Sequence, residues 1–154
     1  MLKNKDIDRF FIDAANQLLN NGQRVMLHPK GRSMLPFLRG NIDIAILSKP
    51  EKIKKYDVVC FRMPGPKFII HRVWDIQGDY VILMGDGNLG NKEICHKKDV
   101  IARVDEVIGP DGKHRRLDTP FQRAAARVWR WLLPFRRYLL AIYRRTLIRH
   151  IKIE

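Results

Sequence analysis

The sequence predicts a mainly β protein: a twisted, partly closed antiparallel β-domain between an N-terminal helix and a C-terminal amphipathic helical tail. Short apolar runs separated by Gly, Pro, Asn and Asp fill the middle of the chain, as is typical of strands joined by turns. Helical spacing of apolar residues occurs only at the two ends, and its absence between the runs disfavours parallel βαβ folds. A length of 154 residues suits a single domain.

The elements follow in order along the chain. Apolar residues at helical spacing predict a helix over residues 5–20, and Asn21 and Gly22 end it. Pro110, Asp111 and Gly112 mark the end of the β-domain. The predicted organisation is therefore a helix in residues 1–22, a β-domain in 23–112 and a helical tail in 113–154. Strands are predicted at 24–27, 42–47, 58–62, 68–76, 80–84 and 100–108.

The net charge of +14 is concentrated in the tail. Residues 113–154 hold 12 of the 30 Lys and Arg but only 2 of the 16 acidic residues. A strong positive charge attracts anionic partners such as membrane lipid or nucleic acid. The two cysteines, Cys60 and Cys95, lack CxxC spacing and indicate neither a metal site nor a disulfide framework. We expect no metal and no cofactor, and no feature indicates an oligomeric state.

The tail favours a helix lying in an anionic membrane interface, because arginines and apolar residues fall mostly on opposite sides and Pro134 divides the helix. Packing against the β-domain is the alternative; nucleic acid is disfavoured because it would leave the apolar face uncovered. No apolar run is long enough to span a bilayer, so we expect a cytoplasmic protein at the membrane surface. The residues expected to bind membrane are Arg123, Arg127, Trp129, Arg130, Trp131, Arg137, Arg144 and Arg145.

Two residues can form a nucleophile and its base. Ser33 lies in a constrained turn before Pro36, and a serine hydroxyl needs a neighbouring base to become a nucleophile. His71 lies in a predicted strand, and an imidazole that is largely neutral at neutral pH can accept the serine proton. Each residue alone also suits an ordinary structural role in a turn or a strand.

Three ordered segments carry a family resemblance. They are Ser33-Met34-Leu35-Pro36, His71-Arg72-Val73 and Gly85-Asp86-Gly87-Asn88. Over about residues 24–109 the chain resembles the signal peptidase I family, whose superfamily includes the LexA-type repressors. Bacterial signal peptidases have a lysine base where this chain has His71, so the chain is more similar to the endoplasmic-reticulum and spore-former type. The resemblance implies a serine endopeptidase without a cofactor that cleaves a leader, signal or precursor peptide. It also implies that the substrate binds in extended form and has small side chains immediately before the cleaved bond.

The resemblance also assigns roles to single residues. Ser33 would be the nucleophile, His71 the base, and Asp86 a support for His71 or only a turn residue. Many bacterial members carry a serine where Gly31 stands, so the Ser33 N–H would supply much of the oxyanion hole and the enzyme would be slow or narrowly dedicated. Gly31, Met34, Pro36 and Asn88 would support the turn and the oxyanion site. A noncatalytic membrane- or protein-binding module that retains the fold is the alternative function.

Overall fold

A computed structural model describes residues 4–65 and 67–148, and eight antiparallel strands dominate it. The strands form one sheet in the order β1-β2-β7-β3-β4-β5-β6, with β8 paired to β7. Helix α1 precedes the sheet, and helices α2 and α3 follow it. The strands are β1 Val25–Leu27, β2 Ile44–Ser48, β3 Val58–Arg62, β4 Phe68–Gln77, β5 Tyr80–Met84, β6 Glu93–His96, β7 Val100–Ile108 and β8 His114–Arg116; the helices are α1 Asn4–Asn20, α2 Pro120–Trp131 and α3 Arg136–Tyr143.

The prediction of a mainly antiparallel β protein with helices at both ends is confirmed. All six predicted strands are present, and the predicted bounds of 58–62, 80–84 and 100–108 agree with the structure. The sequence missed β6 and β8, which are four and three residues long and too short for a clear alternating pattern. Because β8 pairs with β7, the sheet continues beyond the boundary predicted at residue 112.

Strand β3 lies at the centre of the sheet and is covered on both faces. Val58 and Cys60 belong to one cluster of buried apolar side chains, whereas Val59 and Phe61 belong to another. Successive side chains of a strand point to opposite faces, so this alternation means that the sheet has two apolar layers around it. The neighbouring strand β4, which carries His71, is therefore held in a well-packed part of the sheet.

The tail begins with a regular helix cap and is divided at Pro134. The hydroxyl of Thr119 accepts a hydrogen bond from the Gln122 N–H at the start of α2. Pro134 lies in a 3₁₀ turn, Leu133–Phe135, between α2 and α3, and a π-helical turn, Arg144–Ile148, follows α3. No helix in residues 4–148, Pro66 aside, is both long and apolar enough to cross a membrane. The parts of the predicted N-terminal segment and tail at residues 1–3 and 149–154 lie outside the described residues.

Candidate active site

His71 is a buried histidine in the middle of the sheet. It lies on β4 opposite Val59 of β3, and only 4% of its surface is exposed. The ring of Phe61 packs at a tilt against the imidazole, with 6.1 Å between ring centres. The backbone pairing and this apolar neighbour restrict the imidazole to one region of the structure.

Glu93 is the carboxylate that contacts His71. Its Oε2 lies 2.8 Å from Nδ1 of the imidazole, and the Glu93 side chain is only partly exposed. An ionised carboxylate can only accept a hydrogen bond, so Nδ1–H of a neutral His71 donates to it. The lone pair of the imidazole is then on Nε2, the nitrogen that a general base needs free.

Ser33 lies in a tight turn that the neighbouring glycines make possible. Gly31, two residues earlier, has a φ of 85°, a left-handed conformation that favours glycine. The Gly87 N–H donates a 2.7 Å hydrogen bond to the Ser33 carbonyl oxygen, which joins the turn to the Gly85–Asn88 loop. Met34 is buried in the core and anchors the turn on its other side. Pro36 follows a cis Leu35–Pro36 peptide bond.

The backbone N–H of Ser33 is available as a hydrogen-bond donor. Within the described residues it makes no hydrogen bond to a backbone or side-chain acceptor. A donor of this kind beside a nucleophilic hydroxyl is one component of an oxyanion hole.

Gly85 marks the point where the Ser33 turn and the His71 ring come together. A Cβ built on Gly85 would lie 3.0 Å from His71 Nε2 and 2.8 Å from Asn88 Nδ2, and it would overlap the Ser33 carbonyl oxygen. Nε2 and the Ser33 backbone therefore both lie within contact distance of one small volume. Any side chain at position 85 would fill the volume that His71 Nε2 and the Ser33 backbone both border.

Ser33 and His71 also line one cavity of about 470 Å³. Among the described residues no direct hydrogen bond joins Ser33 Oγ to the His71 ring, although both residues line the cavity. Catalytic hydrogen bonds often form fully only when substrate is bound. Apolar side chains make up much of the wall: Leu27, Met34, Leu38, Phe68, Ile69 and Ile70.

The Asp86 carboxylate, for which the sequence left a catalytic and a turn role open, is hydrogen-bonded to Arg72, and no hydrogen bond joins it to His71 among the described residues. The carboxylate accepts hydrogen bonds of 2.8 to 3.1 Å from the guanidinium of Arg72, and both side chains are buried. Arg72 further donates to the Tyr56 carbonyl oxygen and stacks over Phe37. The fork of the guanidinium matches the two carboxylate oxygens, so Asp86 forms a buried ion pair beside the site.

The tail packs on the site loop through residues expected to bind membrane. Trp129 Nε1–H donates a 2.8 Å hydrogen bond to the Asp86 carbonyl oxygen, and Arg136 Nη1 donates to that of Asn88. Arg130 stacks over Trp74 at 3.8 Å from the ring centre, and Arg123 pairs with Asp57. These contacts turn the polar groups of Arg123, Trp129 and Arg130 toward the β-domain, although all three residues stay partly exposed.

The other predicted membrane-binding residues are exposed. Arg127, Trp131, Arg137, Arg144 and Arg145 all lie on the protein surface. Arg127 is exposed although its guanidinium stacks over Tyr56 at 5.4 Å. The tail thus has both features that the sequence left open: one face packed on the domain and another free.

Glu93 is the site residue that sequence reasoning missed. It begins β6, a strand too short to be predicted, and reaches His71 across β5. No local pattern reveals its role, because Glu93 shares a face with the buried Cys95 whereas the more apolar Ile94 is exposed. A carboxylate that shares a face with a buried residue points inward and needs a partner.

Metal ligation has no candidate within residues 4–65 and 67–148, where no group of three or more His, Cys, Asp or Glu side chains is arranged to hold an ion.

Cys60 lines the same cavity as Ser33. Burial raises the pKa of its thiol to about 12, so it stays protonated and is a poor competing nucleophile.

Comparison with models of protein families and with curated proteins found no match.

Proposed function

We propose that this chain is a serine endopeptidase of the signal peptidase I type that cleaves a leader, signal or precursor peptide. The observation that carries the proposal is the 2.8 Å contact between Glu93 and Nδ1 of His71, which leaves Nε2 directed at the volume shared with the Ser33 turn. A buried histidine with an ordinary structural role also needs a hydrogen-bond partner, so the proposal depends on the combination of this contact with the nearby Ser33 turn.

The reaction is acyl transfer. His71 Nε2 takes the proton of Ser33 Oγ as the oxygen attacks the peptide carbonyl, and the Ser33 N–H donates to the oxyanion that forms. His71 then gives the proton to the leaving amine, and a water molecule releases the acyl-enzyme by the same steps. Glu93 keeps the Nδ1 proton in place and stabilises the imidazolium formed on the way.

Substrate binding is supported by the position of the cavity. The cavity wall includes Leu27 at the end of β1, and β1 is an edge strand whose described partner is β2 alone. An extended peptide can pair with the free edge of a strand and place a side chain in a pocket beside it. The apolar wall of the cavity suits an apolar side chain next to the cleaved bond, and the preference for a small one comes from the family resemblance.

A fluorophosphonate probe tests the proposal directly, because the chain contains only two serines, Ser33 and Ser48. We expect a covalent adduct at Ser33 and none at Ser48, whose hydroxyl is hydrogen-bonded to Asp105. His71→Ala should slow labelling on the order of 10²-fold or more, since it removes the general base. Ser48→Ala is the matched control and should label at the parent rate, and circular dichroism should show that each variant is folded.

Mass spectrometry of a peptide library incubated with the parent chain and with Ser33→Ala would identify cleaved sequences. Cleavage by the parent alone supports the peptidase. No adduct and no cleavage by a folded parent chain would reject it.

A noncatalytic binding module is the second candidate, and one observation favours it: Ser33 Oγ makes no hydrogen bond to His71 in this structure. Binding of library peptides in the cavity without any cleavage would support this function. The same incubation therefore distinguishes the two candidates.

A further inference from the structure

The tail helices expose a continuous apolar stripe that the peptidase site does not use. Successive members are separated by seven, three, four, three and four positions, so they fall on one side at helical spacing across both α2 and α3. Trp131 is 81% exposed and Phe121 is 78% exposed. The lipid stripe consists of Phe121, Val128, Trp131, Phe135, Tyr138 and Ile142.

The opposite side of the same helices is fixed to the β-domain. Ala126 and Leu140 are buried, and Arg136, with 2% of its surface exposed, donates to the Asn88 and Trp129 carbonyl oxygens. Trp129 and Arg130 bind the carbonyl oxygens of Asp86 and Trp74. Turning the apolar side inward would break these contacts, so the stripe is held outward by the packing of the tail.

Charge around the stripe identifies what covers it. Arg127, Arg137, Arg144 and Arg145 are exposed, and residues 120–153 contain no acidic residue. A second copy of this face would bring arginines against arginines without an opposing carboxylate, which disfavours self-association. Aromatic side chains between exposed arginines instead suit the boundary between acyl chains and anionic headgroups.

We propose that the lipid stripe inserts into the interface of an anionic membrane while α2 and α3 stay packed on the β-domain. The arginines that contact headgroups are those at 127, 137, 144 and 145, whereas Arg123, Arg130 and Arg136 hold the tail to the domain. The proposal does not depend on peptidase activity, so Ser33→Ala should bind lipid as the parent does.

Co-sedimentation of the full chain with vesicles tests the proposal. We expect binding to vesicles of phosphatidylcholine that contain roughly one third phosphatidylglycerol, an anionic lipid. Trp131→Gln combined with Phe135→Gln should weaken binding at least about tenfold. Ile94→Gln, at an exposed apolar residue on β6, is the matched control and should bind as the parent does. Arg144→Gln and Arg145→Gln should each weaken binding roughly fivefold, and less at high salt.

Brominated lipids give a readout specific to one side chain. Trp131 is the most exposed of the three tryptophans, and Trp74 and Trp129 are partly buried where the tail packs on the β-domain. We expect brominated vesicles to quench fluorescence in the parent, and Trp131→Phe to keep binding but lose most of the quenching. Unquenched fluorescence in bound parent protein would overturn the insertion.

Several further results would overturn the proposal. One is failure of the folded parent to bind anionic vesicles, and another is equal vesicle binding by the parent and the Trp131→Gln, Phe135→Gln variant. A third is that the parent does not bind vesicles but forms a dimer in solution, which this variant abolishes. The last result would assign the stripe to contact between copies of the chain. A stable complex with another protein that needs the stripe, again without vesicle binding, would likewise reject the membrane.

Discussion

Glu93 Oε2 lies 2.8 Å from Nδ1 of His71, although the two residues are 22 positions apart and lie on strands β6 and β4 with β5 between them. Gly85, which follows β5, lies beside the other ring nitrogen of His71, Nε2. Because Gly85 has no side chain, the imidazole can lie over it and face the Ser33 turn. The sheet register therefore builds the proposed Ser33, His71 and Glu93 set.

Glu93→Gln should remove activity with little loss of stability. A glutamine keeps the shape of the side chain but no longer offers a negative charge to the imidazolium, and its amide can hold His71 in the wrong tautomer. We expect kcat/KM, or the rate of fluorophosphonate labelling, to fall on the order of 10²-fold or more.

Glu106→Gln is the matched control for this substitution. The Glu106 carboxylate lies 2.5 Å from Nδ1 of the exposed His114, and neither residue lines the cavity. It should keep the parent rate. A Glu93→Gln protein that labels as fast as the parent would show that Glu93 does not position His71.

Asp86→Asn should act on stability instead. The substitution leaves the buried guanidinium of Arg72 without its ion-pair partner, and breaking a buried pair costs about 3 to 5 kcal/mol in the free energy of unfolding. Urea denaturation measures the change, with Asp75→Asn, at an exposed pair with Lys55, as the control that should keep the parent midpoint.

Labelling of the folded fraction of Asp86→Asn should continue near the parent rate, because Asp86 does not touch His71. A stable Asp86→Asn protein that had lost labelling would return Asp86 to the catalytic role that the resemblance implied.

Gly85→Ala should disturb both the fold and the site. The added methyl would overlap the Ser33 carbonyl oxygen and lie 3.0 Å from His71 Nε2. We expect a loss of about 1 to 3 kcal/mol in the free energy of unfolding, together with slower labelling of Ser33. Gly90→Ala in the same loop region is the matched control, since nothing lies within 4 Å of its added methyl. Equal effects of the two substitutions would contradict the close approach at Gly85.

The two cysteines should resist alkylation in the folded protein. Burial raises the pKa of the Cys60 thiol from 9.0 to about 12. Burial, helped by the charge of Asp99, raises the pKa of the Cys95 thiol to about 11. At pH 8 both thiols are protonated, so iodoacetamide should modify them only after unfolding in urea, as mass spectrometry would show. Rapid native modification of Cys60 would indicate that its side of the cavity opens.

The same shifts set the direction of the pH dependence. The folded chain holds the thiol protons more tightly than the unfolded chain, so their contribution to stability is complete below pH 9.0 and decreases as pH rises toward the folded-state values. Urea midpoints measured from pH 7 to pH 10 should therefore decline at the alkaline end. Replacing both cysteines with alanine should reduce that decline.

Much of the architecture followed from local patterns. Alternating apolar runs predicted β3, β5 and β7 with their correct bounds, and helical spacing predicted α1 and the tail, because these patterns depend only on which side of an element is apolar. The motifs around Ser33 and His71 likewise identified two residues that line one cavity.

The partners of those residues depended on the tertiary structure. Asp86 and Glu93 are both carboxylates near glycine- and asparagine-rich turns. Only the register of β4, β5 and β6 determines that Glu93 contacts His71 and that Asp86 pairs with Arg72. In the tail, sequence spacing separated arginines from apolar residues but did not say which side faces the domain. The structure turns Arg136 inward and Trp131 outward, because the carbonyl oxygen of Asn88, 48 positions away, accepts a hydrogen bond from Arg136. Such acceptors are contributed by residues far away in the chain, and no local pattern of side chains encodes where they come to lie.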